Sequence, residues 1–261
     1  IDTTHVRQLM NNKVKAIVCV HYGGLPCDMD DLQSIANEWN IPIIEDAAHA
    51  VGATYKGHNI GNISEFTIFS FQAIKHITTG DGGMLIIKDE NLLDKADRIR
   101  WFGIDRKSKQ AGTWENDIKE VGYKYQMTDI AAAMGIASLQ EFDQISSLRK
   151  TLFKTYEDEL SNLDDVKVVG GGFKDREHGA WLFTILVKNR YKLQEKSRSK
   201  NIESNQVHFR NDRYSIFKEF TDGKVFPNMD RVEDDYLVLP LHTMMDKKDV
   251  MRICSVIKSG W

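Results

Sequence analysis

Two short stretches hold side chains whose types and spacing suit chemistry on a flat, phosphorylated ring. The first is Ile43-Ile44-Glu45-Asp46-Ala47-Ala48-His49. Its apolar start reads as a strand that delivers Asp46 to a sheet's C-terminal edge, where open α/β sheets bind ligands. A carboxylate there could keep a ring nitrogen protonated, and Ala47 and Ala48 are small enough to let a ring approach the backbone. The second is Phe69-Ser70-Phe71-Gln72-Ala73-Ile74-Lys75-His76, followed by Ile77-Thr78-Thr79-Gly80-Asp81-Gly82-Gly83. A partly desolvated Lys75 amine could form an imine. Ser70 and neighbouring amides could hold a phosphate. Gly80, Gly82 and Gly83 permit a tight turn. Taken singly, each stretch has an ordinary alternative: Asp46 as a turn cap, Lys75 as a surface lysine beside a hairpin.

The elements that must position these residues follow from periodicity. Val14–Val20 is an apolar run of strand length, expected to be buried on both faces. Asp28 is placed to cap a helix in which Leu32, Ile35, Ala36 and Trp39 form one stripe. Ile41–Ile44 is the next strand, so strand, helix and strand make a βαβ unit and imply a parallel sheet. Further strands are expected at 66–71 and 84–87. Helices are expected at 91–100 and over a long stretch from Met127 to about Leu160, broken once. In that stretch Ile130, Ala133, Met134 and Ala137 make a first stripe; Ile145, Leu148, Leu152 and Tyr156 make a second. Beyond about residue 165 come a β-rich run at 180–187, a short strand at 206–209 and a last helix with Val250, Ile253, Cys254 and Ile257 in register. The texture is α/β followed by a smaller α+β unit.

Bulk properties exclude other classes. The 261 residues are 41% hydrophobic and carry a formal net charge of -3, which offers no electrostatic case for nucleic acid. No apolar run approaches membrane-spanning length. Cys19, Cys27 and Cys254 are an odd number without a CxxC pair and read as thiols in a reducing compartment, so a cytoplasmic location is expected. The scattered histidines lack metal-ligand spacing. Trp101, Trp114 and Trp181 read as packing residues.

Taken together, IIEDAAHAVGATYKGHNIGNISEFTIFSFQAIKHITTGDGGMLIIKD, WFGIDR, GYKYQMTDIAAAMGIASL and VLPLHTMM resemble, in order and over essentially the whole chain, the DegT/StrS group of nucleotide-sugar aminotransferases. The resemblance implies fold type I, the aspartate-aminotransferase-like fold, with residues 1–145 as the large cofactor domain and 146–261 as the small C-terminal domain. It implies pyridoxal 5'-phosphate (PLP) as cofactor, Lys75 as the Schiff-base lysine and proton carrier, and Asp46 against the pyridine nitrogen. His49, where the family often has Gln, is implied at the ring oxygen, and Ser70 at the phosphate. Lys124 stands where the family commonly has an Asn that reaches the neighbouring subunit's phosphate. His208, Arg210 and His76 are implied near the substrate.

The implied reaction, of the 2.6.1 class, passes an amino group, with glutamate the expected donor, to a nucleotide-linked ketosugar. The implied assembly is a homodimer, and the product would serve polysaccharide or glycosylated-metabolite synthesis. Two alternatives stand beside it: a non-catalytic sugar-nucleotide-binding chain, and a PLP-dependent sugar dehydratase, which Lys75 disfavours because dehydratases of the group carry His there. The chain opens at Ile1 without Met. Its true start, with the family's small-residue phosphate loop and ring-stacking aromatic, is expected upstream.

Overall fold

The computed structural model describes residues 1–115 and 117–261. In chain order the elements are α1 (Thr3–Leu9), β1 (Ile17–Val20), α2 (Met29–Trp39), β2 (Ile43–Asp46), β3 (Thr54–Tyr55), β4 (His58–Asn59), β5 (Phe66–Ser70), β6 (Gly83–Ile87), α3 (Leu93–Arg100), α4 (Arg106–Gln110), α5 (Asp129–Gln140) and α6 (Phe142–Leu160). They continue with β7 (Val166–Val169), β8 (Arg176–Glu177), β9 (Phe183–Val187), α7 (Arg190–Ser199), α8 (Lys218–Thr221), α9 (Pro227–Val232), β10 (Tyr236–Leu239) and α10 (Lys247–Lys258).

The expected βαβ unit is present. β1 pairs parallel with β2, which pairs parallel with β5, and β6 closes the sheet antiparallel, in the order β1-β2-β5-β6. A second sheet, β10-β9-β7, is antiparallel throughout. A small third sheet, β4-β3-β8, joins the first half of the chain to the second through Thr54–Glu177 pairing. Two cores result. One lies under α2 and holds Ile17, Cys19, Met29, Leu32, Ile35 and Ile43. The other lies where α6 and α10 cover the second sheet and holds Leu152, Tyr156, Phe183, Ile185, Leu237 and Ile253. The long helical stretch breaks once, at Glu141, as its two stripes require.

Several expectations are corrected. β1 is shorter than Val14–Val20 and alternates, with Val18 and Val20 exposed, so only one of its faces is covered. Trp39 is exposed at the end of the α2 stripe. The α5 stripe is not buried: Ile130 is 80% exposed and Met134 is exposed beside it. Periodicity shows which residues share a face, not whether anything covers that face. Residues 206–209 form no strand; only Asn205 bridges to Val238. Asp28 sits at the N-cap of α2 without making the cap bond, because its carboxylate is drawn 2.6 Å from Arg176 instead. Trp114, read as a packing residue, is 76% exposed.

A buried polar chain locks the central strands together. His21, after β1, accepts the Cys27 amide on Nδ1 at 3.1 Å and meets Glu45 of β2 through Nε2 at 2.8 Å. Glu45 also accepts from the Ser64 amide at 2.9 Å and the Thr67 hydroxyl at 3.3 Å. Burial alone would raise the Glu45 pKa, but the bonds from His21 and Ser64 outweigh it and hold the carboxyl below its ordinary value. A carboxyl with a depressed folded pKa stabilises the fold above its unfolded pKa, and that stabilisation fades as pH falls through the folded value. Glu45→Gln should therefore cost about 2–4 kcal/mol at pH 7 and distinctly less near pH 3. Urea unfolding at both pH values checks this; an equal loss at both would remove the carboxylate's charge from the account.

Candidate functional site

The C-terminal ends of β1, β2 and β5 converge on one place. Asp46 ends β2, and its carboxylate Oδ1 accepts the Ala48 amide at 3.1 Å, which turns the chain sharply after the strand. Ala47 is fully buried, its amide bonded to Ile68 of β5 at 2.8 Å. This turn brings His49 inward.

Lys75 lies in the loop between β5 and β6. The loop is pinched by Phe71 N to Gly82 O at 2.8 Å and Thr79 N to Phe71 O at 2.9 Å, and Thr78 N donates to Ser138 Oγ of α5 at 3.2 Å. Gly80 closes it with a φ of +81°, and a Cβ on Gly83 would stand 2.7 Å from the Phe69 carbonyl oxygen, so both glycines are required by the turn. The Lys75 amine is half-buried. Burial lowers its pKa, while the negative charge of Asp46 pulls the other way, which places these two groups within electrostatic reach of each other.

His49 is held as a neutral ring. Its Nδ1 accepts the Gly23 amide at 3.2 Å, so the proton resides on Nε2. Burial, and then the positive charges of Lys75, His208 and His76, push its pKa down to about 3. The His208 ring, exposed, lies 6.0 Å away at an interplanar angle of 25°.

An indole completes the group. The Trp181 ring stacks on His49 at 3.6 Å and 20°, and the Lys75 Nζ stands 3.9 Å over the same ring. Sequence reasoning put Trp181 among packing residues. It is indeed only 6% exposed, but the surface it packs against includes Lys75 and His49. No local pattern marks it, since β9 and the loop before it lie more than a hundred residues from Lys75.

Asp46, His49, Lys75 and His208 thus come together, and Ser70 sits at the end of β5 with its hydroxyl oxygen accepting the Gln72 amide at 3.3 Å. The remaining candidates have other partners. Arg210 is 5% exposed and ion-paired to Asp212, Asp230 and Glu233 at 2.7, 2.6 and 2.9 Å, so its guanidinium is committed to protein carboxylates. His76 is buried beside Arg149, Gly179 and Ala180; burial, then the Arg149 charge, lowers its pKa to about 4. Lys124 is exposed and rests its amine 3.9 Å over Trp101. Among the described residues, no cluster of three or more His, Cys, Asp or Glu could hold a metal, and no helix is long and apolar enough to cross a membrane.

These residues fit PLP. A carboxylate near an amine, a neutral imidazole with a free N–H, and a small-residue turn match the ring nitrogen, aldehyde carbon, ring oxygen and flat face of that molecule.

The comparisons with known proteins agree. Residues 1–258 match the DegT/DnrJ/EryC1/StrS aminotransferase family. An uncharacterized protein of Methanocaldococcus jannaschii is 36% identical over 99% of the chain and 70% of its own length. The GDP-perosamine synthase of Escherichia coli O157:H7 is 34% identical over 80% of the chain. The chain spans only 56% of that synthase. The crystal structure of the sugar aminotransferase CalS13 from Micromonospora echinospora superposes with a TM-score of 0.94 at 29% identity, covering 100% of this chain and 71% of CalS13. The α/β fold is that of fold type I PLP enzymes. By fold and by match along almost its entire length, this chain belongs to the DegT/DnrJ/EryC1/StrS aminotransferase family, whose cofactor is pyridoxal 5'-phosphate.

Proposed function

We propose that the protein transfers an amino group, with glutamate as donor, to the keto group of a nucleotide-linked deoxysugar, in the service of polysaccharide or glycosylated-metabolite synthesis. The observation that carries this reading is the half-buried Lys75 amine, within electrostatic reach of Asp46 and in contact with the same Trp181 ring as the neutral His49. The GDP-perosamine synthase relative supports the substrate class. A lysine at position 75, where dehydratases of the group carry histidine, supports transfer over dehydration.

The bound cofactor supplies an electron sink for charge developing on the donor's α-carbon. With the cofactor bound, Lys75 would hold its aldehyde carbon and, released as a free amine, would take the proton from the donor's α-carbon and give a proton back at the carbon that had been the aldehyde. Its burial favours the neutral amine that this requires. Asp46 holds a proton at the pyridine nitrogen. His49 donates its Nε2 proton to the ring oxygen and, being uncharged near neutral pH, adds no positive charge beside the lysine. Ser70 contributes to the phosphate cradle. Lys124 reaches the phosphate of a second subunit in a homodimer. His208, facing the open side, contacts the sugar nucleotide. Arg210 and His76 act from behind, Arg210 by tying its loop to three carboxylates. The second half of the reaction runs these proton movements in reverse on the ketosugar, giving ping-pong kinetics. We assign residues 1–145 to the cofactor domain and 146–261 to the small domain, and place the enzyme in the cytoplasm.

Incubation with PLP followed by borohydride should leave a pyridoxyl group on Lys75, read by peptide mass spectrometry. Labelling of a different lysine instead would overturn the assignment.

A further inference from the structure

The side chain of Trp181 is placed by more of the molecule than a packing residue needs. Its amide and that of Leu182 both donate to the Gly23 carbonyl, at 3.2 and 3.0 Å, while the Gly23 amide orients His49. Gly179 N donates to the Gly24 carbonyl at 2.8 Å. Gly24 has a φ of +105°, and a Cβ there would lie 3.0 Å from His49 O and 3.1 Å from Ala180 N, so the two segments touch backbone to backbone. Behind them the Arg149 guanidinium donates to the carbonyls of Ala180, Trp181 and Leu241 at 3.2, 3.3 and 3.1 Å. The indole Nε1 then donates to the Ile74 carbonyl at 3.3 Å, the residue before Lys75. Backbone and side chain are both tethered, and the tethers end on the two loops that carry Lys75 and His49.

The amine and the imidazole both lie within 4 Å of one ring system, so the one indole touches both. Beyond the indole is a cavity of about 770 Å³ whose walls include Ile74, Trp181, Asn205, His242 and Arg252. Ile74 and Trp181 line that cavity and Lys75 does not.

Resting on the reading of Lys75 given above, we propose that Trp181 is a positioning residue for the transfer reaction. Its indole, delivered from the second half of the chain, holds the Lys75 amine and the His49 ring against one aromatic plate and displaces water from beside the amine. Two effects of the ring on the amine oppose each other. A cation over an aromatic face favours the protonated form, and exclusion of water favours the neutral one. Burial is the leading influence on Lys75, so exclusion of water governs. Removing the indole while keeping the fold should return the amine toward ordinary lysine behaviour.

The test needs no cofactor and no turnover. Acetylation of Lys75 by acetic anhydride, followed across pH by peptide mass spectrometry in the protein without PLP, reports the fraction of neutral amine. In Trp181→Ala the labelling curve should move to higher pH by about one unit, so that the rate near pH 8, scaled to its high-pH limit, falls about tenfold. Trp181→Phe, which keeps an aromatic plate, should stay with the wild type. An unshifted curve in a folded Trp181→Ala variant overturns the proposal. Should that variant lose its native circular dichroism, the contact is tested from the other side: Lys75→Met should change the fluorescence that wild type has and Trp181→Phe lacks, and no change overturns it. Failure of borohydride trapping on Lys75 would instead refute the lysine's catalytic role and leave the labelling result intact.

Discussion

Lys75→Ala should lower amine transfer by about 10⁴-fold or more, because a single side chain serves as both the covalent anchor and the proton carrier. The fold should persist. Lys75 is half-buried, forms no ion pair among the described contacts, and its amine is held down in pKa by burial, so its removal takes away a desolvated charge and leaves no orphaned partner. The paired measurement is ketosugar amination by mass spectrometry and urea unfolding by circular dichroism. Turnover within tenfold of wild type would rule out Lys75 as the base. Added methylamine should restore part of the lost rate, since a small free amine can enter the space left by the lysine and move the same proton. Collapse of stability together with activity would show that the loop, and not the chemistry, had been damaged.

Arg149→Met should cost about 3–5 kcal/mol of stability, the largest structural effect expected from one substitution here. Arg149 is 7% exposed in α6, and one terminal nitrogen serves three carbonyls from two segments of chain: Ala180 and Trp181 before β9, and Leu241 after β10. Met fills similar volume but donates nothing, so three inward-facing carbonyls lose their common donor. The urea midpoint measures the loss, and a change of under 1 kcal/mol would show that water replaces the guanidinium at little cost. Because two of those carbonyls flank Trp181, the near-ultraviolet circular dichroism should change along with the stability.

These two sites differ in how they were legible. The Lys75 and Asp46 segments are each local: a strand, its terminal residue and a glycine-bearing turn, all within about a dozen residues. Pattern and spacing reach that far, but the parallel pairing of β2 with β5 that brings the two segments together has no helix between its strands and so lies outside the βαβ reading. Arg149 and Trp181 carried no such signal. One is a single arginine on the covered side of an amphipathic helix; the other is an aromatic residue ahead of a buried strand. Their roles arise from contacts across 31 and 107 residues of chain. Arg210 shows the converse error. An arginine beside His208 suits an anionic substrate, yet the fold surrounds it with Asp212, Asp230 and Glu233, the last two from a segment twenty residues away.

The sequence by itself determined the βαβ unit with its parallel pairing of β1 and β2, the single break in the long helical stretch, and the α6 and α10 stripes, and it singled out the lysine and the carboxylate proposed to share the cofactor. Those features rest on local propensity and on periods of two and 3.6 residues, which neighbouring residues carry. Only the tertiary structure decided which apolar faces are covered, that Asp28 and Arg210 are engaged by distant ions, and that Trp181 touches both Lys75 and His49. Each of these is a matter of which surfaces meet, and surfaces meet through closure of long loops that no short window of sequence encodes.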